Sequence, residues 1–232
     1  MRAWHALVGM YQAIEATHWG DLLLGNVWPA YLFGMALGAH VLGLPGSIRV
    51  GSLDGQLRLL QDVATIAFLA LTVVLFAIRR RGLKGQRATL GQSAVALLGT
   101  FLLNVVAFLP VEDSTSATSL LASSIVVLLG TVFTIWSLAV LGRCFGLFPE
   151  VRGLVLRGPY RFVRHPVYLG EVVAALGLLL AKPHLPVVAL VAVFVVLQYW
   201  RTVNEERALV AAYPSQYPAY AQQVPRLLPG VR

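Results

Sequence analysis

Six apolar stretches restrict the fold of this sequence more than any other feature. They run near residues 22–44, 59–78, 90–110, 118–142, 171–181 and 185–200. About twenty consecutive apolar residues cross a bilayer as a helix. Only 12% of the residues are charged, about half the share that is typical of soluble domains. We therefore predict an all-α fold, a polytopic membrane helical bundle with about six hydrophobic segments.

The last two stretches predict a helical hairpin near the C-terminus. Only the three residues "KPH" separate 171–181 from 185–200. Pro183 and Pro186 disfavour one continuous helix across this point, because proline breaks the backbone hydrogen-bonding pattern of a helix interior. The two stretches are therefore expected to lie antiparallel.

The distribution of Lys and Arg predicts the orientation in the membrane. Residues 79–87 carry five Lys or Arg, and residues 143–165 carry five Arg, whereas "VEDSTSAT" at 111–118 carries none. Such an excess marks the cytoplasmic side. We expect a multi-pass protein of the cytoplasmic membrane, with both basic loops and both termini inside. Residues 1–20 lack an unbroken apolar run, so we do not interpret them as a cleaved signal peptide.

The charge and the cysteine and histidine content limit the possible partners. A formal net charge of +8 in a membrane chain points to anionic membrane lipids rather than nucleic acid. With Cys144 as the single cysteine, no internal disulfide can form. The scattered histidines have no metal-ligand spacing, so we predict no metal.

Two polar motifs interrupt the apolar C-terminal half. In "GPYRFVRHPVYLGE" at 158–171, Pro166 suits the first position of a helix, and Glu171 suits the positive end of its dipole. That motif alone is equally well explained as an anchored helix start. In "QYWRTVNEER" at 198–207, Arg201 and Glu205 share a helix face, with Glu206 adjacent. Together the two motifs predict a site for a zwitterionic ligand at one end of the bundle.

The same region resembles a known family. "LGRCFGLFPEVRGLVLRGPYRFVRHPVYLGE", then "RTVNEER" and "YPSQYPAYAQQVPRLLP", are similar to the isoprenylcysteine carboxyl methyltransferase family, whose wider group includes phospholipid N-methyltransferases. The resemblance covers roughly 141–229. It implies an integral membrane methyltransferase that uses S-adenosylmethionine. Residues 1–142 would form N-terminal transmembrane helices. Residues 143–232 would form the catalytic region, with a cofactor-binding connection, the hairpin and a tail.

The resemblance also implies roles for individual residues. Arg201 and Glu205 would be the catalytic residues, and Arg201 would face the acceptor. If the nucleophile is an amine or a thiol, the chemistry also requires a base, for which Glu205 or Glu206 is the candidate. Gly170 would permit close helix packing. The cofactor would be bound by Arg152, Gly153, Leu154, Val155, Tyr160, His165, Pro166, Val167, Tyr168, Glu205 and Glu206.

Several acceptors are compatible with these residues. We expect a lipophilic acceptor that enters from the bilayer, with carboxyl O-methylation of an isoprenylcysteine-like compound as the first hypothesis. A phospholipid amine and a small thiol are alternatives. A further alternative is an NADPH-dependent membrane reductase of the sterol-reductase type, which is similar at its C-terminus, although Pro166 after His165 favours a methyltransferase. The tyrosines of the tail either anchor it at the interface or cover the cofactor as a lid.

Overall fold

A computed structural model of the chain describes residues 21–47, 53–80, 82–83, 88–112, 114 and 116–228. Residues 1–20 and part of the basic loop at 79–87 lie outside the described residues, so the structure does not bear on the prediction made for residues 1–20. The described part contains seven α-helices and no strand. They are α1 (Trp28–Ser47), α2 (Leu53–Ile78), α3 (Leu90–Phe101), α4 (Ala117–Leu141), α5 (Pro166–Ala181), α6 (Leu185–Ala212) and α7 (Gln216–Gln223).

The lengths and hydropathies of these helices confirm the predicted membrane bundle. Within the described residues, three helical stretches are long and apolar enough to cross a bilayer, namely Gly55–Ile78, Ala117–Cys144 and Leu185–Ala212. Leu90–Val106 and Pro166–Ala181 are shorter apolar helices. The predicted hairpin is present as α5 and α6, and Pro166 occupies the first turn of α5 as expected.

Two helices differ from their predicted extents. The third apolar stretch was expected to be one helix, but α3 ends at Phe101 and continues as a 3-10 helix over Leu102–Phe108. The sixth stretch was expected to end near residue 200, whereas α6 continues to Ala212. Hydropathy falls after residue 197, yet Gln198, Glu205 and Glu206 are hydrogen-bonded to side chains of α5 or the tail, which favours continuation of the helix.

Glycines bring α4 and α5 into close contact. A Cβ atom at Gly130 would lie 2.5 Å from the backbone nitrogen of Ala174, and one at Gly170 would lie 2.3 Å from Thr134 Oγ1. Small residues of this kind let membrane helices approach closely enough for backbone contact. The predicted packing role of Gly170 is therefore seen directly, and α4 fixes the position of α5.

The connecting segments lie at opposite ends of the bundle, in the predicted alternation. The loop after α2 meets the α4–α5 connection, where the backbone N–H of Arg80 donates to the carbonyl of Arg143 at 2.7 Å. At the other end, the Ser114 N–H donates to the carbonyl of Ala181 at 2.7 Å, and Lys182 Nζ lies 3.3 Å from the Val111 carbonyl oxygen. The α4–α5 connection therefore lies at the basic end.

An aromatic cluster joins the N-terminal helices to this connection. The ring of Phe33 on α1 lies 5.8 Å from that of Phe76 on α2 and 5.9 Å from that of Phe101 on α3. Phe76 meets Phe145 edge-on at 5.0 Å. Offset and edge-to-face pairs at such distances are favourable. The cluster holds α1, α2 and α3 around one internal space.

Candidate active site

One cavity of about 370 Å³ extends from the α4–α5 connection into the helical bundle. Most of the residues that the family resemblance selected line it. These are Arg152, Gly153, Leu154, Val155, Tyr160, His165, Val167, Tyr168, Arg201 and Glu205. Pro166 and Glu206 are buried but do not line the cavity. The structure thus brings together residues that lie more than fifty positions apart in the sequence.

The α4–α5 connection depends on glycines where it turns toward the cavity. Gly142 ends α4 with φ +54°, and Gly158 begins a 3-10 turn with φ +60°. Such left-handed conformations favour glycine. Cys144 packs beneath Gly153, where a Cβ atom would lie 2.6 Å from its Sγ. A side chain at position 153 would therefore collide with Cys144, and the glycine lets the "RGLV" element pack against Cys144 where it lines the cavity.

Polar side chains from α5 and α6 interlock at the centre of the cavity. The hydroxyl of Tyr168 donates a hydrogen bond to the Glu205 carboxylate. The guanidinium of Arg201 lies over the Tyr168 ring, 4.6 Å from its centroid. His165 Nδ1 lies 3.6 Å from Glu205 Oε2. The four side chains therefore form one connected group in which a cation, an aromatic ring and a carboxylate have fixed relative positions.

Glu206 organises a second group immediately behind the first. Its Oε1 lies 3.1 Å from His165 Nε2, 3.1 Å from Arg226 Nε and 3.3 Å from Arg164 Nε, and its Oε2 accepts from Arg226 Nη2 at 2.6 Å. These contacts link the end of α6 to the start of α5 and to the tail. In the structure Glu206 positions His165 rather than facing the cavity.

His165 lies between the carboxylates of Glu205 and Glu206, and these two groups affect its pKa. Its burial disfavours the charged imidazolium, but hydrogen bonds and charge interactions with Glu205 and Glu206 outweigh that effect and raise its pKa above the usual range. His165 is also the residue immediately before α5, so its ring is held at the helix start. The imidazole therefore bridges the cavity carboxylate and the carboxylate behind it.

The tail forms part of the cavity wall. Its tyrosines were expected either to anchor it at the membrane interface or to cover the cofactor as a lid. Tyr217 is almost fully buried, and both Tyr217 and Tyr220 line the cavity. The Tyr220 hydroxyl donates to the Tyr160 carbonyl at 2.5 Å. The backbone N–H groups of Arg164 and His165 donate to the carbonyls of Pro225 and Arg226 at 2.9 and 3.1 Å. The tail therefore covers the α4–α5 connection.

Two polar residues beside Arg201 were missing from the predicted site. Gln198 accepts a hydrogen bond from Arg201 Nη1 at 3.0 Å and donates one to Glu171. Glu171, which the sequence suggested only as a helix-dipole partner, lies 3.8 Å from Arg201 Nη1 and lines the cavity. Helical spacing was the available signal, because Glu171 follows Tyr168 by three positions and Gln198 precedes Arg201 by three.

Unsatisfied buried donors show what the polar end of the cavity could bind. The Nε atoms of Arg152 and Arg201 are buried and make no hydrogen bond in the structure, and both residues line the cavity. Buried donors of this kind cost free energy unless an acceptor reaches them. With the Glu205 carboxylate nearby, the site offers donors for a carboxylate and an acceptor for an amine or hydroxyl. This donor set fits S-adenosylmethionine, which carries all three groups.

The opposite end of the cavity, which we call the apolar arm, lies between the N-terminal helices. Its lining is mainly apolar, and the polar residues in it are His40, Thr65, Thr72, Thr100 and Asn104. Its walls come from α1, α2 and the end of α3, with Leu32, Phe33 and Ala36 on α1, Phe68 and Leu69 on α2, and Phe101 on α3. Such surfaces suit a hydrocarbon chain. Among the described residues, no group of three or more His, Cys, Asp or Glu side chains is placed to hold a metal ion.

Comparison with known proteins identifies the class of this region. Residues 118–216 match the phospholipid methyltransferase family. This match covers α4, the connection, α5, α6 and the start of α7, and it confirms the resemblance to membrane methyltransferases. Residues 118–216 are therefore similar to this family of membrane methyltransferases.

A curated relative matches a similar length of sequence. It is the cobalt-zinc-cadmium resistance protein CzcN of Cupriavidus metallidurans, which is 35% identical over 98 residues. The match covers 40% of this chain and 45% of the relative. The aligned part thus spans less than half the length of each protein.

Proposed function

We propose that this protein is a membrane methyltransferase that uses S-adenosylmethionine to methylate a lipophilic acceptor. The observation that carries the proposal is the continuity of this cavity, because it joins the family-motif residues to an apolar arm. A polar end next to an apolar arm suits a charged methyl donor and an acceptor drawn from the bilayer. Bound S-adenosylmethionine supplies a methyl group on a sulfonium cation.

The residues of the connection and of α5 would hold this cofactor. The unpaired Nε of Arg152 and the backbone of Gly153, which lines the cavity, can meet its carboxylate. Glu205 can accept from its amine or hydroxyl groups. The rings of Tyr160 and Tyr168 can pack against the adenine or face the cation. Because Tyr168 is hydrogen-bonded to Glu205 and stacked with Arg201, its ring orientation is already fixed.

Arg201 would hold the acceptor. Its Nη1 is engaged by Gln198, but its buried Nε has no partner, so the side chain retains a donor for a carboxylate oxygen. Charge-assisted pairs of this kind are strong and directional. Methyl transfer to a carboxylate is an in-line displacement that needs alignment and no general base. These features favour carboxyl O-methylation of an isoprenylcysteine-like compound, with the isoprenoid chain in the apolar arm.

Methylation of a phospholipid amine is the second candidate. The observation in its favour is that two carboxylates, Glu171 and Glu205, line the cavity beside Arg201. They can attract an ammonium group, and Glu205 can take the proton that the amine must lose before it reacts. The description of the matching family also names phospholipids. The same base would serve a small thiol.

We assign the polar end of the cavity to the cytoplasmic face. It lies at the α4–α5 connection, which carries Arg143, Arg152, Arg157, Arg161 and Arg164. Lys and Arg near membrane helices concentrate on the cytoplasmic side. A soluble cofactor from the cytoplasm and an acceptor from the bilayer would then reach the two ends of the cavity separately.

Calorimetric binding to detergent-purified protein tests the proposal. S-adenosylhomocysteine should bind with about micromolar affinity, and Glu205→Ala and Tyr168→Ala should abolish binding. Phe162→Ala is the matched control, because Phe162 lies in the same connection, is 64% exposed and does not line the cavity. Binding of NADPH in place of S-adenosylhomocysteine would overturn the methyltransferase proposal in favour of a reductase.

An acceptor screen with methyl-labelled S-adenosylmethionine then separates the acceptor classes. Isoprenylcysteine-like carboxylates, amino phospholipids and small thiols are compared in the same mixed micelles. Labelling of the carboxylate alone supports the first candidate. Labelling of the phospholipid amine alone replaces it with the second.

A further inference from the structure

A second depression, of about 590 Å³, lies on the outer surface between α3 and the last turns of α6. We call it the α3–α6 groove. Its main lining residues are Gln92, Val95, Trp200, Val203, Asn204 and Arg207. It shares no lining residue with the cavity described above. Trp200 remains 55% exposed in the groove, so a large apolar surface there has no protein partner.

The polarity of the groove changes with depth. Helix α3 begins at the basic end of the bundle and α6 ends there, so Gln92 and Arg207 lie at the outer end. Val95 and Trp200 lie about one or two turns deeper, toward the centre of the bilayer. Polar groups at the outer end and apolar groups below them match the two parts of a phospholipid. The position of Trp200 also suits the aromatic belt of a membrane protein.

The charge at the outer end is positive. Arg207 is exposed and makes no ion pair with any described residue. Arg226 lies at the edge of the groove, with its guanidinium 5.3 Å from the centroid of the Tyr199 ring, but its charge is paired with Glu206, so Arg207 supplies the positive charge. None of the described residues that line the groove is Asp or Glu. Basic pockets between transmembrane helices on the cytoplasmic side favour anionic headgroups.

Beside the groove, α3 and α6 are in direct contact at Gly99 and Arg201. A Cβ atom at Gly99 would lie 2.8 Å from Arg201 Cδ, so α3 lies directly against the side chain that faces the cavity. A lipid in the groove would therefore lie outside the cavity and would not compete with the acceptor.

We propose that an anionic phospholipid binds in the α3–α6 groove, with its phosphate at Arg207 and an acyl chain beside Val95 and Trp200. The lipid fills the open side of the α3–α6 pair next to Arg201. This site does not depend on which acceptor the protein methylates, or on whether it is an enzyme.

Fluorescence quenching in lipid nanodiscs tests the site directly. The protein is placed in nanodiscs that contain a small, equal fraction of brominated phosphatidylglycerol or brominated phosphatidylcholine, with the bromines near the headgroup end of the acyl chain. Subtraction of the Trp200→Phe signal isolates Trp200. Phosphatidylglycerol should quench Trp200 about fivefold more effectively than phosphatidylcholine, and added salt should reduce this preference.

Variants of two exposed arginines assign the preference to the groove. Arg207→Gln should remove the preference for phosphatidylglycerol. Arg207→Lys, which keeps the charge, should retain that preference. Arg157→Gln is the matched control, because Arg157 is exposed on the same basic face but outside the groove. Equal quenching by the two lipids in the unmodified protein would overturn the proposal, and so would a preference that survives in a folded Arg207→Gln variant.

Discussion

Glu206 and Arg226 form a two-point ion pair between the end of α6 and the tail. Arg226 Nε and Nη2 donate to the two carboxylate oxygens at 3.1 and 2.6 Å. The interaction with Glu206 raises the pKa of Arg226, despite partial burial, so the pair stays charged. Because Glu206 also contacts His165, it connects the tail to the residue that begins α5.

Loss of this pair should weaken cofactor binding without removing any cavity residue. Hydrogen bonds to charged groups contribute about 1.5–3 kcal/mol. We therefore expect Arg226→Ala to weaken S-adenosylhomocysteine binding by at least about tenfold, because the tail no longer covers the connection. Arg226→Lys should restore part of the affinity, and Arg157→Ala should leave it unchanged. Unaltered calorimetric affinity in Arg226→Ala would show that the tail is not part of the site.

His165 should make stability depend on pH. Its pKa is raised in the folded protein, so its stabilising contribution is fully present below the unfolded value of about 6.5. That contribution is lost as the pH rises through the higher folded value. Thermal unfolding between about pH 5.5 and 9 should show this decline, and His165→Asn should flatten it. If the thermal stability of His165→Asn declined with pH as it does in the unmodified protein, groups other than His165 would be responsible.

Gly170→Ala should destabilise the protein through the α4–α5 contact. The added methyl group would lie 2.3 Å from Thr134 Oγ1 and 2.8 Å from the Gly130 carbonyl oxygen. Overpacking of this kind costs about 1–3 kcal/mol. Gly34→Ala in α1 is the matched control, since no atom lies within 4 Å of its added methyl group. Thermal unfolding in one detergent compares the two, and equal midpoints would contradict the packing argument.

Arg201→Lys should separate acceptor binding from cofactor binding. Lysine keeps the charge but cannot present the planar guanidinium donors to a carboxylate. With a carboxylate acceptor, we expect KM to rise about tenfold or more, while S-adenosylhomocysteine binds within about threefold of the unmodified protein. A KM that stays constant would indicate that Arg201 does not hold the acceptor.

The length of the acceptor chain should depend on the apolar arm. Ala36 lines the arm from α1, whereas the adjacent Met35 is 60% exposed on the outer surface. Ala36→Phe should therefore lower kcat/KM for long isoprenoid acceptors more than for short ones, and Met35→Phe should change neither. S-adenosylhomocysteine binding should stay the same in both variants. Equal losses for long and short acceptors would place the chain elsewhere.

Much of the membrane bundle could be predicted because its signals are local. Hydropathy located the apolar helices, and "KPH" located the hairpin turn. Pro166 marked the start of α5 because proline is tolerated in the first helical turn. The extension of α6 past residue 200 could not be predicted in this way. It depends on partners from other elements, such as Arg226 for Glu206.

The candidate site shows the same division between local and long-range information. The family motifs selected Tyr168 and Glu205, which the structure joins by a hydrogen bond. Glu205 and Glu206 are adjacent, so their side chains differ by about 100° around the helix axis, and the sequence alone does not say which one faces the cavity. The contact between Glu206 and the cofactor stays a prediction. Glu171 was missed because its partners, Gln198 and Arg201, lie on another helix.

The glycine contact between α4 and α5 also indicates how this protein could diversify. Backbone packed against backbone leaves no room for new side chains, so the half of the molecule that would bind the methyl donor tolerates little substitution. The apolar arm has no such backbone contact, because α1 and α2 line it mainly with hydrocarbon side chains. New acceptor preferences could therefore evolve in the N-terminal helices while the chemistry at the other end is inherited unchanged.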